Sequence, residues 1–480
     1  MDISDMDMQN MPGMDMSKEM SKQGMQNMPG MDTPKLKGID DGKTQVEAQD
    51  SSASKARHDA RLEFNVLGDP NDSQPPLSLA DLQKLATDHN PTLVQARSQV
   101  EGELGKAKQA GLYLNPSLAY NGDLMGLPGA GAGEWQGGLV SQEVVLGSKL
   151  KLSREKYLAR AEAAKQQLRA QSLRVSNDVQ AHYYHVLASV QRLKMQNELF
   201  KSMRDQWLTV HEMSNLGEAN EADRHLVNAN QAEQRLHVQE AENELMYAWE
   251  NLVTVLGIEL PYRRLAGNLE GQPQMIPWQN LVDRLVKDSP QLGEARAKLR
   301  CDEITVKREK RQKIPDVVLT GGAGYDQLDQ GFAARANLAI VNIPLFDRNQ
   351  GTVQQAVADL NRQKAQVQLV ELQLRRELAR QYREYATAVQ HIDVYRSTII
   401  PELQKRYEVM LKSYMDTRTD WPSVLETQRD FFNARLTFVS HLETWREREI
   451  SLNGFLLTGA LEAPPGVTPP GHIDATPKPR

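Results

Sequence analysis

The chain has 480 residues, a formal net charge of −6 and 25% charged side chains, with no basic patch that would draw nucleic acid. Its mean hydropathy is −0.58, and no run of roughly 18 apolar residues exists to cross a bilayer as a helix, so any passage through a membrane falls to a β-barrel. The single cysteine, Cys301, excludes an internal disulfide framework and a Cys-based zinc site.

Residues 1–76 are polar and poor in aromatics, a composition expected to be disordered. They open on Met1-Asp2-Ile3 without the basic and apolar regions of a secretory leader, which weighs against export. Within them, Met8-Gln9-Asn10-Met11-Pro12-Gly13-Met14-Asp15 recurs identically as Met25-Gln26-Asn27-Met28-Pro29-Gly30-Met31-Asp32, and Met6 and Met16 extend the first copy. Ten of the 18 methionines fall in the first 31 residues, with no Leu, Val or Phe among them to make a core. Thioethers are soft ligands that select Cu(I) and, by the same softness, Ag(I). Met6, Met8, Met11, Met14, Met16, Met25, Met28 and Met31 are therefore candidate metal ligands; the other reading is a solvated tail expanded by repeat slippage.

From 77 to 461 the pattern runs twice, at about 77–260 and 276–461. Leu114-Asn115-Pro116 answers to Ile314-Pro315, and Leu226 to Gly257 answers to Leu425 to Leu457. Each half reads helix, strand, strand, very long helix, tight turn, long helix. The long helices carry seven-residue apolar spacing: Val179, Val186, Leu193, Phe200 and Trp207 in the first half, and Val353, Leu360, Val367 and Leu374, then Leu378, Tyr385, Ile392 and Ile399, in the second. Such heptads indicate antiparallel coiled-coil packing. The segments from about Ser148 to Asn215 and from about Arg348 to Tyr414 are each long enough for a rod of ~100 Å at about 1.5 Å per residue. Pro401 is expected to kink the second rod.

Four short segments alternate instead. In Ser117 to Leu124, Leu118, Tyr120 and Leu124 share a face; in Asp316 to Tyr325, Val317, Leu319, Ala323 and Tyr325 do. In Phe332 to Ile340 the apolar set Phe332, Ala334, Ala336, Leu338 and Ile340 opposes Arg335 and Asn337. Glu134 to Leu146 alternates least cleanly. Strands of this kind suit a transmembrane barrel with a wet lumen, with Tyr120, Trp135, Tyr325 and Phe332 as interfacial anchors; a small water-soluble sheet packed on the helices fits the alternation equally. Four strands cannot close a barrel, since bacterial barrels begin at about eight. A spanning barrel must then be shared among subunits. Residues 462–480 are Pro-rich and read as an extended tail.

The duplicated core resembles the outer-membrane efflux protein (TolC) family, and most closely its heavy-metal branch of the CusC and CzcC kind. The resemblance is carried by Val341-Asn342-Ile343-Pro344-Leu345-Phe346-Asp347 before a long helix and by Val424-Leu425-Glu426-Thr427-Gln428 with Asn433-Ala434-Arg435 in the last one. It implies a fold that is mainly α with a β part: a long antiparallel coiled-coil helical barrel in the periplasm, plus four strands per subunit of a shared transmembrane barrel. It further implies a homotrimer in the outer membrane, docked to a periplasmic adaptor and an inner-membrane RND-type pump, with no catalytic activity. Many relatives carry a signal sequence and an acylated Cys, and neither is seen here.

By the same resemblance the two helix–helix turns, Asn215 to Asp223 and Met415 to Pro422, form the gate and the adaptor contact. Gly217 matches the glycine expected in such a turn. A three-fold axis would make rings of Asp416 and Asp420, which favour cations in a constriction; Asp420 also suits an N-cap, with Pro422 in the first turn. His182 and His185, three apart on a long helix, read as packing or surface residues. Together these readings point to a passive duct exporting Cu(I) or Ag(I). The alternatives are export of Zn, Co and Cd ions or organic toxicants, and a soluble coiled-coil metal-binding scaffold.

Overall fold

The computed structural model describes residues 75–123, 134–215, 221–416 and 418–466. The methionines from Met6 to Met31, Gly217 and the end of the C-terminal tail lie outside the described residues.

Each half opens on two helices rather than the single one expected. In the first half these are α1 (Leu79–His89) and α2 (Pro91–Ala110). Ser78 starts α1 with a capping box, its hydroxyl accepting from the Asp81 N–H while the Asp81 carboxylate accepts from the Ser78 N–H. The break falls at Asn90-Pro91, because the residue before a proline is pushed out of the α region: Asn90 sits at φ −65, ψ 121, caps the Thr92 N–H and donates to the Val255 carbonyl. Strands β1 (Ser117–Gly122) and β2 (Trp135–Val144) follow, then α3 (Lys149–Asn215) and α4 (Glu221–Leu256). The second half repeats the order with α5 (Trp278–Asp288) and α6 (Pro290–Arg311), broken at Ser289-Pro290, then β3 (Asp316–Asp326), β4 (Gly331–Val341), α7 (Gln350–Val394), α8 (Ile400–Met415) and α9 (Trp421–Asn453).

Between α7 and α8 the expected proline kink takes a specific form. Tyr395–Ile399 is a π turn, and the Ile400 N–H donates to the Tyr395 carbonyl five residues back. In a regular helix the Pro401 ring would meet the carbonyl four residues before it; the wider turn displaces that carbonyl, and the helix runs on. The same insertion shifts the heptad phase. Leu378, Tyr385 and Ile392 are buried, whereas Ile399 is only partly so. In α3 the buried stripe likewise drifts, from Val179, Val186 and Leu193 to Leu199, Gln206 and Val210, because 3.6 residues per turn do not divide seven. Phe200 and Trp207 are left half-buried.

The main core gathers Leu378, Tyr385, Ile392, Leu442 and Trp445 of the second half's long helices with Leu281 and Leu285 of α5 and Ala188 and Met195 of α3. No described helix is long and apolar enough to cross a membrane. The strands form one antiparallel sheet in the order β1-β2-β3-β4. Its register puts Leu118, Val140, Gly321 and Ala336 in one cross-strand row and Tyr120, Gly138, Ala323 and Ala334 in the next. Leu118, Tyr120, Val140, Leu319, Tyr325, Phe332, Leu338 and Ile340 therefore share one face, and all are exposed. Phe332 is 90% exposed, a cost in water that a lipid surface removes. The other face carries Ser141, Thr320, Arg335 and Asn337, with Ser141 and Thr320 hydrogen-bonded at 2.9 Å.

Trp135 corrects the sequence reading. It is fully buried on the polar face and is not an interfacial anchor. Its ring lies where a Cβ on Gly137 or Gly324 would stand 2.6 Å away, and the Arg335 guanidinium covers it at 4.5 Å from the ring centre. The two glycines make a socket that alternation cannot reveal.

Candidate functional site

Three places among the described residues concentrate polar chemistry. The first is the polar face of the sheet, from Ser141 and Thr320 up to the Arg335–Asp123 ion pair over Trp135.

The second is the junction between strands and long helices. Lys149 begins α3 almost fully buried and donates to the Ile314 carbonyl at 2.8 Å and to Asp316 at 2.6 Å. The other Asp316 oxygen accepts the Leu146 N–H at 2.8 Å. Gly147 at φ 71 and Ser148 at φ 57 make the turn that delivers Lys149 there; a Cβ on Gly147 would meet Ile314 at 2.8 Å. This pair ties the first half's exit from the sheet to the second half's entry, and the sequence reading missed it. The Lys directly after Gly147-Ser148 is the signal the sequence offers.

The third is the α8–α9 end. Asp416 caps α8, its N–H donating to the Lys412 carbonyl at 3.0 Å, and its side chain is exposed. Asp420 holds the N-cap position of α9 with φ −84 and ψ 158, but its carboxylate accepts from the Ser423 hydroxyl and not from a backbone N–H. Pro422 at the second helical position has no N–H to offer, and Ser423 at the third meets Asp420 through its hydroxyl. Tyr414 and Trp421 pack across the turn at 4.7 Å. Behind them a buried polar relay joins three helices. Gln206 of α3 donates to the Gln428 carbonyl oxygen at 2.8 Å, and the Gln428 amide donates to the Ser202 hydroxyl at 2.7 Å and reaches the Tyr407 hydroxyl of α8 at 3.4 Å.

His182 and His185 do not converge on a common site. Burial lowers the pKa of His182. His185 bridges α9 and α4, pairing with Glu443 through Nδ1 and with Glu244 through Nε2 at 3.2 Å, while Arg192 pairs with the second Glu443 oxygen. The hydrogen bond to Glu443 pushes the His185 pKa up, against desolvation. Burial opposes ionisation of Glu443, but His185 and Arg192 together hold its pKa below the usual value. The signs follow from linkage. His185 contributes stability that is fully present below its unfolded value of 6.5 and lost as pH rises through the higher folded value. Glu443 contributes above 4.5, a contribution lost as pH falls through its depressed folded value. His185→Gln is therefore expected to lower Tm most near pH 6, with the gap to wild type narrowing as pH rises. Thermal melts from pH 5.5 to 9 check it, and a pH-independent gap refutes it.

Among the described residues no group of three or more His, Cys, Asp or Glu side chains is arranged to hold a metal. The family model described as outer membrane efflux protein matches residues 82–258 and again 281–456. The chain belongs to this family. It is an outer-membrane efflux channel with a periplasmic helical domain, and such a channel is a passive conduit and not an enzyme.

Among curated proteins, the cobalt-zinc-cadmium resistance protein CzcC of Cupriavidus metallidurans is 22% identical over 383 residues, covering 78% of this chain and 88% of CzcC. Among solved structures, CusC superposes with a TM-score of 0.65 at 17% identity, covering 82% of this chain and 96% of CusC. The CmeC outer membrane channel of Campylobacter jejuni superposes with a TM-score of 0.64 at 15% identity, covering 89% of this chain and 94% of its own. The efflux channel described here thus shares their mainly helical fold with its small antiparallel sheet.

Proposed function

We propose that this channel assembles as a homotrimer and serves as the exit duct of a tripartite system that exports heavy-metal cations. The open sheet carries the reading: among the described residues β1 and β4 each have one strand neighbour, the apolar face is exposed along all four strands, and an unclosed edge in lipid leaves backbone groups unsatisfied. Three copies of the four strands close into a barrel of about twelve, within the size range of membrane barrels. The helical hairpins then point away from the membrane, toward a periplasmic adaptor at the turn holding Gly217 and an inner-membrane RND-type pump beyond it. Recovery in outer-membrane fractions with heat-modifiable migration in detergent tests the assembly. A heat-insensitive monomer in the soluble fraction rejects it in favour of a coiled-coil scaffold.

For the cargo, the likeness to CzcC supports divalent ions of the Co, Zn and Cd class. The methionine repeats support a second reading, capture of Cu(I) or Ag(I) by Met6, Met8, Met11, Met14, Met16, Met25, Met28 and Met31. A deletion strain hypersensitive to Zn, Co and Cd fits the first, and one hypersensitive to Cu and Ag fits the second. Sensitivity to organic toxicants alone refutes both. A peptide spanning Met6 to Met31 that binds Ag(I) no better than its Met→Leu counterpart removes the methionines from the argument.

Asp416 and Asp420 are assigned to the gate because both side chains are exposed at the α8–α9 turn, where a symmetry axis multiplies their charge. Asp416→Ala is expected to raise single-channel conductance or weaken block by divalent cations in planar bilayers. Unchanged conductance and block overturn the assignment.

A further inference from the structure

The two strand pairs with their connecting loops, residues 117–144 and 316–341, hold six carboxylates, Asp123, Glu134, Glu143, Asp316, Asp326 and Asp329, and one basic side chain, Arg335. Asp316 is already matched by Lys149. Asp123, Glu134, Asp326 and Asp329 all lie at the hairpin end of the sheet, remote from the helices. That end is strongly acidic, and Arg335 is the cation set against it.

Its placement is unusual. Arg335 stands on β4, one edge of the sheet, and Asp123 directly follows β1, the other edge. Their side chains nevertheless form an ion pair across the polar face. The arm crosses over the Trp135 ring, its guanidinium 4.5 Å from the ring centre, an arrangement favoured by the ring quadrupole. The crossing has a prepared floor. Gly137 of β2 and Gly322 and Gly324 of β3 put no side chain on this face, and a Cβ on Gly137 or Gly324 would strike the Trp135 ring. Asn121 donates to the remaining Asp123 oxygen at 2.8 Å, fixing the carboxylate for the pair.

We infer that the Asp123–Arg335 brace over Trp135 lines the distal end of the conducting path and acts as its charge filter, with Arg335 setting how far the acidic wall favours cations. The inference rests on the polar face of the sheet being the lumen of the proposed barrel. Rings of side-chain charge set ion selectivity in wide pores, and low-dielectric walls focus their field. While paired, Arg335 cancels Asp123 in every subunit. With Arg335 removed, an unopposed carboxylate is left in each; with Asp123 removed, an unopposed guanidinium.

The test is the reversal potential of the full-length protein in planar bilayers under a KCl gradient. Arg335→Gln is expected to raise the K⁺ to Cl⁻ permeability ratio by roughly twofold or more, and Asp123→Asn to lower it by a similar factor. The double variant is expected to return it close to wild type. Arg335→Lys keeps the charge while losing the planar stack, so it should hold the wild-type ratio; a ratio like that of Arg335→Gln would mean the residue acts by shape alone and would overturn the filter. Wild-type channels whose ratio ignores both single variants also overturn it, while leaving the duct intact. Wild-type protein that stays monomeric and is recovered in the soluble fraction overturns the barrel reading and the filter together.

Discussion

Lys149→Met is expected to be among the most damaging single changes in the chain. Methionine keeps the length of the side chain and can fill the same space, so little packing is lost. What it leaves behind is the half-buried Asp316 carboxylate, reduced to its bond from the Leu146 N–H, and an Ile314 carbonyl without its ammonium donor. Breaking a buried pair by removing one partner costs about 3–5 kcal/mol; the surviving Leu146 bond puts the expected value near the lower end. The damage falls where two chain halves meet at the foot of the sheet, so the proposed oligomer should weaken together with the monomer fold. Denaturant unfolding of the detergent-solubilised protein measures the first, and gel migration the second. Adding Asp316→Asn to Lys149→Met should recover part of the loss, since a neutral amide costs less to leave unpaired. A loss below about 1 kcal/mol would mean that water replaces the ammonium at this junction.

Trp445→Ala is expected to cost a similar amount, about 3–5 kcal/mol, by a different route. Trp445 is 2% exposed and sits in the core shared by α7, α9 and α5. The connector between the halves closes over it: a Cβ on Gly271 would lie 2.7 Å from its ring. The Arg446 guanidinium lies 4.1 Å from the ring centre and donates to the carbonyls of Leu269 and Glu270. Truncation opens a cavity and also loosens the connector that joins the repeats. Trp445→Phe should recover most of the stability, because burial of the ring supplies the larger part. A thermal melt in which Trp445→Ala matches wild type within about 1 °C would place the structural centre elsewhere.

Much of this architecture was legible in the residues. The heptads of α3 and α7 mark long packed helices, and the alternation of Phe332 to Ile340 marks a two-faced strand, because periods of 3.6 and 2 decide which side chains share a face. Even Glu134 to Leu146, the least clear segment, forms the ten-residue strand Trp135–Val144. The glycines at 137, 138, 321, 322 and 324 blurred the alternation there and in its neighbour. Proline at 91 and 290 broke what was read as one helix in each half, a boundary that the restriction on the preceding residue makes plain afterwards.

The candidate site was less legible. Asp416 and Asp420 stand at the turn where the duplicated pattern places them, but the bond of Asp420 to the Ser423 hydroxyl in place of a backbone cap is a matter of side-chain geometry that residue type does not fix. Trp135 is expected as an anchor because an aromatic near a strand end in a membrane barrel is usually one; alternation with Ser141 sets it on the polar face, and the glycine socket that buries it there comes from β2 and β3 together. The spacing of His185 from His182 carries no trace of its partners, which lie on α4 and α9.

The residues alone determined a twice-repeated helix and strand rhythm, the absence of any helix fit to cross a bilayer, and an apolar face on each strand too small a set to close by itself. Local spacing encodes these because face and period repeat within a few residues. Only the tertiary structure decided which charge meets which. Lys149 meets Asp316 across 167 positions and Arg335 meets Asp123 across 212, distances at which no periodicity links two side chains and only the sheet register and the helix packing bring them together.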